Sequence, residues 1–251
     1  MAGRNRGAFA FESFIYAVAN RGTMGFEVRR RLSVADTVTL CNAVVGFVAG
    51  AIAFTDLQLA ARLILLAVIA DAIDGIVARN GDSSAVGPLL DSVTDVVSFG
   101  ATPSLFLYVL LTDAYGGIES ANPGVFVGLV LLASAYVVCS IVRTAFYSTY
   151  FDSPDERPGM PNTLGSIIIA TAYLSGVTNP LVLSVGALAL SLAMVAPFDY
   201  PKPGPKTAVP MGVVQTVAVV APTAFFRAGP RAMLAIALLF FALGPWVYPG
   251  E

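Results

Sequence analysis

The chain has 251 residues, of which 57% are hydrophobic and only 12% charged, and its mean hydropathy is +0.78, whereas about a quarter of the residues of a soluble domain are charged. That composition implies a polytopic membrane protein with no separate soluble domain, because only short loops and residues 1–35 fall outside the apolar stretches. Histidine is absent and acidic residues outnumber basic ones, sixteen to fourteen, which excludes histidine-based acid–base or zinc chemistry and argues against a nucleic-acid partner.

Residues 1–35 carry Arg4, Arg6, Arg21, Arg29, Arg30 and Arg31, and their one apolar run, around Phe14 to Ala19, is short and preceded by Glu12. This is a poor signal peptide. Phe9, Phe11, Phe14, Ile15 and Val18 alternate with small or polar residues, a pattern that suits a short helix lying on the membrane surface. The other reading is a basic tail. Either way the segment is expected to be cytoplasmic, with residues 36–251 forming the membrane domain.

A helix needs about 20 mainly apolar residues to cross the hydrocarbon core. Measured so, the chain offers eight spans, near 36–55, 58–79, 88–112, 124–149, 162–178, 180–197, 207–224 and 229–248. The expectation is an all-α, polytopic helical bundle of about eight transmembrane helices. The fifth and sixth spans are short and separated only by Thr178-Asn179-Pro180, so seven remains an alternative. Cys41 and Cys139 lie far apart inside apolar stretches; they form no disulfide or metal-binding spacing and read as small buried apolar residues. Eleven of the fourteen basic residues fall in the N-terminal segment and at Arg79, Arg143, Arg157, Lys202 and Lys206, against Arg62, Arg227 and Arg231 on the other side. By the positive-inside rule the first side is cytoplasmic, and the loop between the second and third spans opens there.

The chemistry gathers around that loop. The second span ends in Asp71-Ala72-Ile73-Asp74-Gly75-Ile76-Val77-Ala78-Arg79, and the third begins with Gly87-Pro88-Leu89-Leu90-Asp91-Ser92-Val93-Thr94-Asp95. Separations of three and four residues put each Asp pair on one helical face. Two helices joined by a short loop run antiparallel, so the pairs can face each other. A carboxylate at the centre of a membrane helix costs roughly 2.5–3.5 kcal/mol, and four of them require positive charge. Arg79 alone does not supply it, whereas one or two divalent cations with oxygen ligands do. Gly75 and Ala78 leave room for a phosphate or nucleotide near the backbone, or serve ordinary small-residue packing. Gly87 before Pro88 suits a loop-to-helix turn.

These residues reproduce the pattern Asp-x2-Asp-Gly-x2-Ala-Arg, a spacer, then Gly-x3-Asp-x3-Asp, and so resemble the CDP-alcohol phosphotransferase family. The resemblance implies that Asp71, Asp74 and Asp91 are metal ligands and that Asp95 is the general base, also touching metal. It further implies Mg²⁺ or Mn²⁺, two ions, as cofactor, and a CDP-lipid site lined by Asp71, Gly75, Ala78 and Arg79, with Thr39 and Asn42 as weaker echoes in the first span. Asp91-Ser92, Ser98-Phe99-Gly100, Pro103 and Tyr108 resemble the third helix of the phosphatidylserine synthase branch, and Gly159-Met160-Pro161 resembles that branch's Gly-Leu-Pro. Ala35-Asp36 departs from the family's usual Pro-Asn, and Thr144-Ala145 after Arg143 from its common Phe-Asn. Recognisable similarity covers roughly residues 33–170.

The activity implied is membrane phospholipid synthesis: transfer of a phosphatidyl or archaetidyl group from a CDP-lipid to L-serine with release of CMP. Arg143 and Ser98 are the candidate acceptor-binding residues, with a structural salt bridge or snorkelling as the alternative for Arg143. The partners implied are the CDP-lipid, serine, the lipid bilayer of the cell membrane and a second copy of the chain as a homodimer. The acidic balance, with only two lysines, suggests a high-salt archaeal source and hence CDP-archaeol as donor. The competing readings are a family member using inositol phosphate or glycerol phosphate, and a cation transporter whose carboxylates line an ion path.

Overall fold

The computed structural model describes residues 30–79, 84–116, 122–150, 158–200 and 205–247; the only strand-like pairing among them is a bridge between Pro158 and Asp199. The surface helix considered for the N-terminal segment, together with Arg4, Arg6, Arg21, Arg29, Arg157 and Lys202, lies outside the described residues, as do the side chains of Ala78, Arg79 and Lys206. From residue 33 onward the described residues form eight helices, α1 (Val34–Ile52), α2 (Leu57–Arg79), α3 (Gly87–Tyr115), α4 (Pro123–Tyr150), α5 (Asn162–Ser175), α6 (Pro180–Met194), α7 (Pro205–Val220) and α8 (Ala224–Val247).

Local chemistry sets most of the boundaries. Ser33 and Asp36 form a reciprocal capping box at the start of α1, and the Asp56 carboxylate accepts the Leu59 amide at 2.9 Å to open α2. Gly176, at φ 88°, ends α5 in the left-handed conformation, and Asn179 then caps α6 through the amides of Leu181 and Val182. These two caps separate the fifth and sixth helices. α3 is continuous but widens to π geometry over Val96–Ala101. The start of α8 is kinked through Phe225, Phe226 and Arg227, all with positive φ.

Four helices are long and apolar enough to cross a membrane: Val34–Ile52, Gly87–Tyr115, Pro123–Tyr150 and Ala224–Trp246. α2 has 23 residues, about 34 Å at 1.5 Å per residue, but carries Arg62, Asp71, Asp74 and Arg79. α5 has only 14 residues, eleven of them buried, and occupies the middle of the bundle against α2, α8 and the π segment. Its apolar character therefore reflects protein contact as much as lipid. The outer surface is apolar too: Leu131, Val138 and Phe146 on α4 and Leu181, Val185 and Leu192 on α6 are all exposed, a distribution suited to hydrocarbon and not to water. Cys41 corrects the expectation of a buried thiol. It is exposed, because the buried face of α1 is taken by Ala35, Asp36, Thr39, Asn42, Gly46, Ala49 and Gly50.

Small residues let the helices approach closely. A Cβ on Gly46 would strike the side chain and backbone of Ser98, and one on Gly100 would lie 2.6 Å from Ser140 Oγ. Thr102 Oγ1 reaches the carbonyl oxygens of Gly46 at 2.8 Å and Val97 at 3.0 Å, the second being a carbonyl within the π segment. The last helices are tied back by Gln215 Nε2 to Leu65 O at 2.8 Å and Arg62 Nε to Val219 O at 2.6 Å.

The α1–α3 contact should be intolerant of a methyl group. Gly46→Ala is expected to lower stability by about 1–3 kcal/mol, whereas Gly128→Ala, where nothing lies within 4 Å, should leave it unchanged or raise it by up to about 1 kcal/mol. Thermal midpoints of the two variants in one detergent check this, and equal losses would contradict it.

Candidate active site

The site forms where α1 and α3 begin and α2 and α4 end. Carboxylate oxygens of Asp71 on α2 and of Asp91 and Asp95 on α3 all lie within 4.8 Å of one another. Oxygens around one Mg²⁺ sit about 2.1 Å from the ion, hence roughly 3–4 Å apart, so the triad needs only a small inward rotation to hold one ion. Asp95 Oδ1 is buried and accepts no hydrogen bond among the described residues, and a buried acceptor left so costs about 1–3 kcal/mol, more if charged. A hard divalent cation satisfies it, so the donor set fits the metal the sequence implied.

Asp74 stands apart from this triad. It is 4% exposed, and Thr39 Oγ1 on α1 donates to its Oδ2 at 2.8 Å, with Ala35 O as the alternative acceptor at 3.1 Å. Thr39 thus fixes the Asp74 rotamer. Asn42, one turn along the same face of α1, is fully buried, and neither its Oδ1 nor its Nδ2 has a hydrogen-bond partner among the described residues. Such an amide can both donate to and accept from a polar ligand group. Gly75 is half-buried next to Asp74.

Ser98 has a different surrounding. It is fully buried, donates to Asn42 O at 3.2 Å and packs against Gly46. The Ser98-Phe99-Gly100 segment is the π-helical stretch itself, so these residues fasten α3 to α1 and α4 immediately after Asp95. Such local π turns recur at functional sites.

Arg143 is half-buried on α4, with its guanidinium carbon 5.1 Å from the Tyr147 ring centroid, a cation–π geometry. It lies within electrostatic reach of Asp95 and lines a cavity of about 380 Å³ with Phe146, Tyr147, Pro158, Met194 and Pro197. Gly159-Met160-Pro161 follows Pro158 of this lining. Gly159, at φ +80°, sits against the Met194 carbonyl, where any Cβ would collide and would also lie 3.5 Å from Arg143 Cγ. The Gly159 and Met160 amides donate to Phe198 O and Ala193 O, each at 2.9 Å.

Sequence reasoning singles out Arg143 but not the groups that surround this end of the bundle. The one sequence signal for Tyr147 is its i+4 spacing from Arg143. The buried bond from Asn162 Nδ2 to Thr144 Oγ1 at 2.8 Å, and the Ser92–Ser148 hydroxyl pair at 2.9 Å, join helices distant in sequence and leave no local signal. Asp36, 2% exposed, was legible as the fourth residue of a Ser-x-x-acid capping pattern.

The CDP-alcohol phosphatidyltransferase family matches residues 32–197, reaching past residue 170 to include α6, whose end borders the Arg143 cavity. The archaetidylserine synthase of Methanothermobacter thermautotrophicus is 27% identical over 68% of this chain and 70% of its own length. The CDP-diacylglycerol–serine O-phosphatidyltransferases of Methanocaldococcus jannaschii and Bacillus subtilis are 29% and 27% identical, over 70% and 65% of this chain and 78% and 87% of their own lengths.

Loss of a triad carboxylate should be read directly in metal affinity. Asp91→Asn and Asp95→Asn are expected to weaken Mn²⁺ binding by more than about tenfold, and Thr39→Val by about 10-fold or less through Asp74. Titration of the purified protein followed by the electron paramagnetic resonance signal of free Mn²⁺ measures it; native affinity in Asp95→Asn would remove that residue from the ligand set.

Proposed function

The chain belongs to the CDP-alcohol phosphatidyltransferase family, and from that membership we propose that it transfers the phosphatidyl or archaetidyl group of a CDP-lipid to the hydroxyl of L-serine, releasing CMP. The observation that carries the reading is the Asp71–Asp91–Asp95 triad with its buried, unsatisfied Asp95 oxygen, in a chain whose relatives are named for serine as acceptor.

Asp71, Asp91 and Asp95 would hold Mg²⁺ or Mn²⁺, as two ions, with Asp74 completing the set from the position Thr39 gives it. When bound, the metal neutralises the pyrophosphate and stabilises the entering and leaving oxygens. Asp95 takes the proton of the serine hydroxyl, which is a weak nucleophile near neutral pH. The hydroxyl oxygen then bonds to the lipid-linked phosphorus, the bond from that phosphorus to the CMP oxygen breaks, and CMP leaves. Arg143 receives the serine carboxylate in a planar two-point contact, with Tyr147 and the Gly159 turn holding the guanidinium in place. Gly75, Ala78 and Arg79 border the CDP group, and Thr39 and Asn42 close its side against α1. Ser98 acts through helix packing and not as an acceptor contact.

The reading includes eight membrane crossings with both ends cytoplasmic, residues 1–35 as a basic cytoplasmic segment, an active site open to the cytoplasm and a homodimer as the family resemblance implies. Short helices such as α5 would cross as part of the bundle, shielded from lipid by their neighbours.

With purified protein and either CDP-archaeol or CDP-diacylglycerol, CMP release should require L-serine, cease with EDTA and return with Mg²⁺ or Mn²⁺. Arg143→Lys should raise the serine KM by roughly tenfold, because lysine keeps the charge but loses the planar fork. Turnover with glycerol 3-phosphate or inositol phosphate and none with serine would replace the acceptor. For topology, a cysteine introduced as Ser83→Cys, with Cys41 and Cys139 replaced by serine, should react with an impermeant reagent from the cytoplasmic face and Ser120→Cys from the other. The reverse pattern would invert the orientation.

A further inference from the structure

We infer that Asp36 is a positioning residue of the metal site: it clamps the turn that starts α3 onto α1 and so sets how far Asp91 and Asp95 stand from Asp71. The inference rests on the proposed metal-dependent reading of the triad. α3 begins at Gly87 with Val86 as N-cap and no side-chain capping bond, and its ties to α1 at Ser98 and to α4 at Gly100 lie beyond Asp95.

Asp36 supplies the missing constraint from another helix. Its Oδ2 accepts the Ser33 amide at 2.7 Å while Ser33 Oγ accepts the Asp36 amide at 3.1 Å, which locks the carboxylate at the mouth of α1. The Ser84 hydroxyl packs beside the same carboxylate at the start of α3: Asp36 Oδ1 and Ser84 Oγ lie 3.1 and 3.7 Å from where a Cβ on Gly87 would stand. Ser84 in turn holds the turn together: its Oγ accepts the Val86 amide at 3.2 Å and its carbonyl accepts the Gly87 amide at 3.2 Å. Hydrogen bonds thus fix Asp36 to Ser33 and Ser84 to the first residue of α3, and close packing of Asp36 and Ser84 around Gly87 joins the two sets. The approach is close enough that a Cβ on Gly87 would lie 3.1 Å from Asp36 Oδ1, which gives the glycine of the Gly-x3-Asp pattern a steric reason. Asp91 is one helical turn beyond Gly87, so a shift of the turn is passed to the triad without loss. On its other side α1 orients Asp74 through Thr39. Three residues apart on one face, Asp36 and Thr39 let a single helix register both halves of the acidic site.

A clamp of this kind acts on metal affinity, and partners that orient metal ligands are worth about 10–100-fold when removed. Mn²⁺ titration of the full-length protein in detergent, read by the resonance of the free ion, is the test. Asp36→Ala and Ser84→Ala should both weaken Mn²⁺ binding by about tenfold or more. Asp36→Asn should stay near the native value, since the amide keeps the shape of the carboxylate and its oxygen can still accept from the Ser33 amide. Ser33→Ala removes the other half of the capping box but keeps the Asp36–Ser84 contact, so it should lower the thermal midpoint and leave Mn²⁺ affinity alone. Equal weakening by Ser33→Ala and Asp36→Ala would reduce Asp36 to a helix cap, and native Mn²⁺ affinity in both Asp36→Ala and Ser84→Ala would overturn the clamp. A native protein that binds no Mn²⁺ would overturn clamp and metal site together. If the Mn²⁺ pattern across the variants is as expected but the native protein releases no CMP from CDP-lipid with serine, the clamp stands and the proposed reaction falls.

Discussion

Placing several carboxylates at the end of an apolar helical bundle is the constraint on which the rest of this structure depends. Like charges a few ångströms apart in a poorly solvated site repel, and their desolvation is not recovered unless a cation and fixed donors oppose them. The protein answers with a division of labour. Asp71, Asp91 and Asp95 converge on one small volume, leaving a buried Asp95 oxygen without a hydrogen bond among the described residues, while Asp74 is turned toward the hydroxyl of Thr39. Arg143, within electrostatic reach of Asp95, is the one oppositely charged side chain known to lie near it among the described residues.

Holding such a cluster requires helices that approach more closely than large side chains allow. Gly46 against Ser98 and Gly100 against Ser140 bring α1, α3 and α4 into backbone contact just beyond the acidic triad. The π segment between Asp95 and Thr102 belongs to the same arrangement, because its loosened ladder lets Thr102 Oγ1 reach both Val97 O and Gly46 O. Packing in a bundle with apolar surroundings gains little from the hydrophobic effect, so close van der Waals contact and interhelical hydrogen bonds carry the association. The Ser-Phe-Gly pattern is best understood in those terms, as the fastening behind the site.

The basic side of the site is organised by a turn and not by a helix. Gly159 can take its positive φ and lie against the Met194 carbonyl only because it lacks a side chain, and the Gly159 and Met160 amides tie that turn to the end of α6 and the residues after it. Arg143 and Tyr147 then face a cavity whose remaining wall is largely apolar. Among the described residues Arg143 is the cation that lines this cavity, and a cation in an apolar setting is poorly screened and favours a group that meets it with opposite charge and matching shape.

The sequence by itself determined the all-helical membrane character, the order and approximate limits of the helices, with seven left open beside eight, and the two acidic pairs that mark the family. All of these follow from local regularities: apolar run length, cap residues, and the three- and four-residue spacing that puts side chains on one face. Only the tertiary structure decided which faces meet. It separated Asp74 from the triad, turned Ser98 inward against Gly46 and Cys41 outward, set the Gly159 turn beside Arg143 and brought Asp36 against Gly87. Helical periodicity states what a helix presents on each side but not the rotation or axial shift at which its neighbours receive it. Those are set by contacts such as Gly46–Ser98 and Asn162–Thr144, whose partners are too far apart in the chain to signal one another.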